Sequence, residues 1–181
     1  MIEEAQRRAG RTSLPVSFAV GDILALPVGP SYEGILCRGV LNDLLDDPDR
    51  REVFFSFARV LRPAGVLILD VREWHRTVHR KRREPVFETT VDTVRGRLTF
   101  RSVTELDPRQ RRLLIVEQHT LQANDAETSS SYHFIMRCWT QEELHHHLTQ
   151  AGFRVIEYFG DYEVTVAPGS TDRLVSVASL T

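Results

Sequence analysis

The chain has 181 residues, 27% charged and 41% hydrophobic, with a formal net charge of -2, which is enough for one domain with a full core. That balance argues against general attraction to nucleic acid or to an anionic membrane surface. Cys37 and Cys138 show no CxxC or Cys/His ligand spacing, which argues against a disulfide framework and a zinc site. No apolar run of about 18 residues occurs and the N-terminus has no signal-like core, so a soluble, reduced, cytoplasmic protein is expected.

Residues 2–9 read as a helix closed by Gly10. Val16, Phe18 and Val20 alternate with small residues and lead into Gly21-Asp22, which predicts a strand that delivers Asp22 at its carboxyl end. Residues 23–31, with Pro27, Gly29 and Pro30, read as a loop. Gly34-Ile35-Leu36-Cys37 is a short buried strand that stops at Arg38 and Gly39. Asp47 as cap and Pro48 as first helical residue open a helix, whose Val53, Phe54, Phe57, Val60 and Leu61 fall on one face. Pro63 ends it and Gly65 tolerates the reversal. Val66-Leu67-Ile68-Leu69 is unbroken and apolar up to Asp70, which predicts a strand buried on both faces of a parallel sheet. Strand, helix and strand make one βαβ unit, and the fold class is α/β, a Rossmann-like open, mostly parallel sheet.

Residues 71–83 read as a helix with Arg72, Arg76, His79 and Arg83 on one face, either a solvated face or a site for an anionic group. Trp74 and Val78 would pin its apolar side. From residue 86 to 121 the period falls to about two, and residues 91–95, 97–106 and 112–121 predict a three-stranded antiparallel meander inserted into the α/β body. Its role is to wall a pocket, to form a dimer interface or simply to pack. Residues 122–130 read as a polar loop. Thr140 opens a helix in which Glu143 completes a capping box, Leu144, Leu148 and Ala151 face inward, and Gly152 ends it. Residues 153–158 and 174–178 read as two strands paired antiparallel at one sheet edge.

Ligands of open α/β sheets bind beyond the carboxyl ends of the strands, where Asp22, Arg38 and Asp70-Val71-Arg72 are expected. An aspartate followed by a backbone N–H, as at Asp22-Ile23, matches the amino donor and ring acceptor of adenine; such an aspartate is about as often a helix cap or loop brace. His75, His79 and His133 are the candidate bases, with structural or solvent-exposed roles as the plainer reading. His145-His146-His147 cannot converge on one ion, because consecutive helical residues point about 100° apart. Trp74, Tyr132, Arg137 and Trp139 are candidate pocket walls, with core packing as the alternative.

VSFAVGDILALP at 16–27, YEGILCRGVLN at 32–42, LRPAGVLILD at 61–70 and WTQEELHHHLTQAGFRV at 139–155 together resemble successive pieces of a class I S-adenosylmethionine-dependent methyltransferase. The resemblance covers nearly the whole chain, 1–181, as a single methyltransferase-like domain with the 86–121 meander inside it. It implies S-adenosylmethionine as cofactor, with Asp22 on the adenine amino group, Ile23 N–H on the ring nitrogen, and Cys37, Arg38 and Gly39 passing the methionyl end. Leu41, Asn42 and Asp43 would open onto the acceptor, with Arg72, Trp74 and Arg137 as further acceptor-binding candidates. The implied activity is methyl transfer to a small-molecule nitrogen or oxygen, without nucleic acid or membrane partners. The alternative is a non-catalytic binding or scaffold protein of the same descent.

One departure stands out. The family's opening strand with its GxGxG turn, and the next strand ending in an acid, have no counterpart in this sequence, which reads as truncated at its N-terminus. In the family the Asp22 strand is separated from the Gly34 strand by two strands, roughly 14 Å at about 4.8 Å each. Direct pairing of the Val16 strand with the Gly34 strand, with homodimerisation over the exposed surface, is the expectation that closes this gap.

Overall fold

The computed structural model describes residues 2–12, 15–26, 32–124 and 126–181. In chain order these form α1 (Ile2–Thr12), β1 (Tyr32–Cys37), α2 (Asp47–Val60), β2 (Leu61–Arg72), α3 (Trp74–Arg83), β3 (Val86–Thr93), β4 (Gly96–Asp107), β5 (Arg112–Ala123), β6 (Ala126–Arg137), α4 (Gln141–Gln150), β7 (Phe153–Phe159) and β8 (Arg173–Leu180). Two sheets result, ordered β1-β2-β8-β7 and β3-β4-β5-β6.

The βαβ unit forms, but β1 is an edge strand and not the buried one expected: only Cys37 is buried and Leu36 is exposed. Asp46 rather than Asp47 occupies the cap position of α2, and Pro48 lies in the first turn, where a missing N–H costs no hydrogen bond. Val53, Phe54, Phe57 and Val60 are buried, and α2 carries the chain across to a β2 that runs parallel to β1, from Gly34↔Val66 to Cys37↔Leu69. The reversal between helix and strand is made differently from the expectation. Ala64 takes the left-handed backbone, with φ 61, whereas Gly65 is needed for space: a Cβ there would stand 2.8 Å from the Arg62 carbonyl oxygen. On its other side β2 pairs antiparallel with β8, from Val66↔Ser179 to Arg72↔Arg173. The sheet is therefore mixed, and β2 buries Leu67 and Leu69 fully but Val66 and Ile68 only in part. β7 and β8 pair antiparallel as expected, although β8 is interior and β7 is the edge.

Several expectations are overturned. α1 runs through Gly10 to Thr12 instead of closing at it. Residues 15–22 contain no strand, and β1 pairs with β2 alone among the described residues. Val16, Phe18 and Val20 are exposed, Val20 at 89%. Alternation makes a strand only where a neighbour supplies the ladder, and nothing described stands beside this segment. Direct pairing with the Gly34 strand is thus removed. The loop at 23–31 contains a 3-10 turn, Ile23–Ala25; residues 27–31 lie outside the described residues. Arg72 ends β2 and does not share a helical face with Arg76, His79 and Arg83, because α3 begins only at Trp74, where the Glu73 carboxylate accepts the His75 and Arg76 N–H groups at 3.0 and 2.7 Å.

The second sheet has four strands over 86–137 where three over 86–121 are expected. Of residues 122–130, expected as polar loop, 122–123 end β5 and 126–130 begin β6, in register from Ala123↔Ala126 onward. Both faces of the sheet are open at this end, so a row of Thr90, Thr99, Thr120 and Ser129 crosses it, hydrogen-bonded by Thr90 with Thr99 and Thr120 with Ser129. Hydrophobic alternation marks a strand only where one face is buried. At its other end Leu106, Leu113, Ile115, Phe134 and Met136 of the sheet gather with Cys138 and with Trp74 of α3 into a second apolar cluster.

The main core joins α2, β2, β8 and α4 around Phe54, Leu67, Leu69, Leu144, Leu148 and Trp139. Thr140 Oγ1 accepts the Glu143 N–H at 3.1 Å. The capping box stays half-made, because the Glu143 carboxylate turns to Arg50 and Arg111. Among the described residues no helix is long and apolar enough to cross a membrane.

Candidate functional site at the strand ends

β1 and β2, being parallel and adjacent, bring their carboxyl ends to one lip of the sheet. At β1 the chain leaves through Arg38 and turns at Gly39, φ +70, where an added Cβ would meet nothing within 4 Å. Gly39 N–H donates to Asp70 Oδ1 at 2.6 Å, tying the bend to the end of β2. Asp70 is buried and its second oxygen is 3.3 Å from Arg173 Nε. Asn42 is fixed from both ends of its amide: Oδ1 accepts the Arg72 N–H at 2.9 Å, and Nδ2 donates to the Arg137 carbonyl at 2.9 Å. Asp172 accepts from Arg72 Nη1 at 2.5 Å and also from Arg80. These groups, with Gly39, Val71 and Met136, enclose a polar cavity of about 140 Å³.

Of the expected cofactor residues, Cys37, Arg38 and Gly39 stand at this lip. Burial, reinforced by Asp70, pushes the Cys37 thiol up to about 12, so it is no nucleophile at neutral pH. Asp22 and Ile23 belong to a different support. Asp22 caps the turn that follows it, Oδ1 accepting the Leu24 N–H at 2.9 Å, and this turn rests on α2 through Ser56 Oγ to Leu26 N–H at 3.4 Å. The loop-brace role of Asp22 is therefore observed.

Of the expected acceptor residues, Asn42 and Arg72 line the cavity and three others are placed elsewhere. Asp43 is exposed, in the turn Leu41–Asp43. Trp74 faces a separate hollow with His75, Val78 and His79. Arg137 is structural, Nη1 donating to the Leu45 carbonyl at 2.9 Å and pairing with Asp47 at 2.6 Å. Trp139 is core, its indole N–H donating to the Leu41 carbonyl at 3.1 Å. Tyr132 and His133 are exposed on the second sheet, and neither His75 nor His79 lines the cavity. His145 and His146 flank another surface hollow, and no group of residues that could hold a metal occurs among the described residues.

Three residues of the site carry no sequence signal. Tyr162, Asp172 and Arg173 lie between and at the ends of the last two strands, where only a loop and a strand start are legible. Their place at the lip depends on β8 running antiparallel beside β2, which brings Arg173 opposite Arg72. Tyr162 sits within cation–π range of both Arg38 and Arg173.

Residues 1–65 match the family model described as a methyltransferase domain. The match spans α1, the Asp22 turn, β1, the Arg38–Gly39 bend and α2. Over these residues the chain is similar to the methyltransferase-domain family. The methyltransferase fold extends over the whole chain. A solved S-adenosylmethionine-dependent methyltransferase from Clostridium acetobutylicum superposes with a TM-score of 0.81 at 14% identity, over 98% of this chain and 70% of that one. The CcbJ methyltransferase from Streptomyces caelestis gives 0.78 at 17%, over 100% and 75%. An amino pentose methyltransferase from Micromonospora echinaspora gives 0.72 at 18%, over 98% and 71%. No curated protein sequence matches the chain.

Proposed function

We propose that the chain takes part in methyl transfer from S-adenosylmethionine to a nitrogen or oxygen of a small polar acceptor. The carrying observation is the lip itself, where Gly39, Asn42, Asp70, Arg72, Asp172 and Arg173 surround one cavity at the carboxyl ends of β1 and β2. Arg38, Gly39 and the backbone at Cys37 hold the methionyl end in this reading, and Asp22 and Ile23 hold the adenine. Asn42, Arg72, Asp172 and Arg173 face the acceptor. Bound cofactor supplies an electrophilic methyl on a sulfonium.

The chain's own residues then act by placement. The charged groups that line the cavity are already paired, Asp70 with Gly39 N–H and Arg173, Asp172 with Arg72 and Arg80. No histidine lines the cavity. This favours alignment and exclusion of water over side-chain proton transfer, which suits an amine that arrives as the free base and loses its proton to solvent afterwards. A polyhydroxylated amine fits a wall made of amide, carboxylate and guanidinium groups, and proteins of similar fold include an amino pentose methyltransferase and a sugar N-methyltransferase. Residues 1–181 form one methyltransferase unit in this reading, without a nucleic-acid or membrane partner. The open outer edge of β1, with Leu36 65% exposed, is the surface for a second protomer.

A second reading, ligand binding without turnover, is favoured by that same open edge beside the lip. Calorimetry with S-adenosylmethionine, followed by labelled-methyl transfer to a panel of amino sugars, small amines and phenols, separates the two. Heat and labelled product support the enzyme. Heat without product across the panel supports the binding protein. Absence of heat at millimolar cofactor defeats both for this chain.

A further inference from the structure

We propose that Tyr162 is a positioning residue that holds Arg38 at the mouth of the site, so that the loop between β7 and β8 sets how an anionic ligand group is gripped there. The proposal rests on the cofactor reading above for what Arg38 grips, and on geometry for how Arg38 is held.

Arg38 is exposed, and among the described residues it has no carboxylate within ion-pair distance. Its guanidinium carbon lies 5.2 Å from the centre of the Tyr162 ring. Arg173 stands 5.5 Å from the same ring. Two cations near one ring would drive each other away, but Arg173 is neutralised by Asp161 at 2.6 Å and Asp70 at 3.3 Å. Among the described residues Arg38 makes no such ion pair; Asp161 acts on it only through space, and the ring face is the contact that restrains it. An unrestrained arginine surrenders rotamer freedom on binding. A guanidinium already laid on a ring has lost part of that beforehand.

The ring can do this only if its loop is stiff. Tyr162 N–H donates to Asp161 Oδ1 at 2.8 Å, and Asp161 is pinned to β8 through Arg173. Gly160 N–H donates to the Val166 carbonyl at 2.7 Å, and a Cβ on Gly160 would stand 2.3 Å from the Ala167 carbonyl oxygen. Thr171 Oγ1 donates to the Gly160 carbonyl, and Asp172 is clamped by Arg72 and Arg80. The loop thus meets the lip through Tyr162, Asp161 and Asp172, and Tyr162 is the one that reaches β1.

The test uses the full chain with labelled arginine side chains. The Nε–Hε resonances of Arg38 and Arg173 are expected to show ring-current displacement, assigned by loss of one signal in Arg38→Lys. Tyr162→Leu, which keeps apolar bulk without a ring face, should return both toward exposed-arginine values, whereas Tyr162→Phe should leave them displaced. Calorimetry with S-adenosylmethionine should show Tyr162→Leu weakened about two- to fivefold, the range of one exposed cation–π contact, with Tyr162→Phe equal to wild type. Adding Tyr162→Leu to Arg38→Ala should cost nothing further. An Arg38 resonance that ignores Tyr162→Leu overturns the proposal whatever the cofactor does. Displaced resonances with no heat from wild type overturn the cofactor reading and leave the Tyr162–Arg38 placement supported. Equal affinity of wild type and Tyr162→Leu overturns the role of Tyr162 in binding.

Discussion

Arg50 and Arg38 both lay a guanidinium against an aromatic ring, and they do opposite work. Arg50 is 0% exposed, with its guanidinium carbon 3.4 Å from the centre of the Trp139 ring. Nη1 donates to the carbonyls of Leu44 at 3.4 Å and Arg137 at 3.3 Å, while Nη2 donates to the Cys138 carbonyl and the Glu143 carboxylate at 3.1 Å each. It ties α2, the end of β6 and the start of α4 into one knot. Arg38 keeps its charge at the lip with a ring as its restraint. A cation whose terminal nitrogens are all spent inside the fold cannot grip a ligand; one left at the lip can, because it holds little of the fold together.

The largest expected effect comes from emptying the knot. Arg50→Ala takes one donor from the Glu143 carboxylate and one from each of three carbonyls, although Glu143 keeps Arg111 and the Arg137 carbonyl keeps Asn42, and breaking a buried pair from one side costs about 3–5 kcal/mol. Urea unfolding should show the midpoint falling with the slope unchanged. Burial pulls the Arg50 guanidinium down to about 10, against the upward pull of Glu143, so it is still charged at neutral pH. A loss under 1 kcal/mol would mean that water enters and replaces it.

Glu143→Gln probes the same knot more gently. Glu143 pairs with Arg50 at 3.1 Å and with Arg111 at 3.0 Å. Glutamine keeps one acceptor oxygen and removes the charge, for which a loss of about 1–3 kcal/mol is expected. Double-mutant cycles with Arg50→Ala should be strongly non-additive, since the two share partners.

Little of this contrast was legible in the chain. Arg50 reads as one more charge in the first turn of an amphipathic helix, and the capping box assigns Glu143 to its own helix start. Only the docking of the end of β6 over that turn supplies carbonyls to one and redirects the other. The βαβ unit was legible because strand, helix face and capping residues agree locally. β6 and the Val16 segment were misread for a common reason: alternation reports burial on one face, and polar strands can find a ladder while apolar stretches can lack one. At the lip, Arg38, Gly39, Asn42 and Arg72 follow from strand ends. Tyr162, Asp172 and Arg173 come from a distant part of the chain and required the position of β8.

A third and smaller effect concerns pH. His147 stacks on Phe54, with ring centres 6.0 Å apart and planes 7° apart, beside Trp139. Burial holds its imidazole below the usual 6.5, with Glu143 opposing and His146 and Arg50 reinforcing. A lowered pKa means that the unfolded chain binds the proton more readily. The contribution of His147 is therefore complete above about 6.5 and is lost as pH falls from there toward its folded value. Stability should decline across that window by no more than about 1.4 kcal/mol per pH unit, one proton's worth. His147→Phe should flatten the curve there. The acid limb at lower pH should persist, because Asp47, Glu142 and Asp161 are all held below their usual values and lose their contribution only as pH falls through them.

The smallest expected change in stability is also the one that bears hardest on the contrast. Arg38→Ala removes an exposed side chain that touches one ring and fills no interior volume, so the unfolding midpoint should move by less than about 0.5 kcal/mol. The bend itself should survive, since it is held by Gly39 N–H on Asp70 and not by the arginine. If Arg38→Ala instead lost more than 1 kcal/mol, the cation would be bracing the Tyr162 loop as Arg50 braces α2. A mouth braced by Arg38 would then have no spare charge to offer a ligand. Hydrogen exchange at residues 160–172 separates the cases, because a bracing Arg38 predicts faster exchange throughout that loop, whereas a restrained but unneeded Arg38 predicts no change beyond Tyr162.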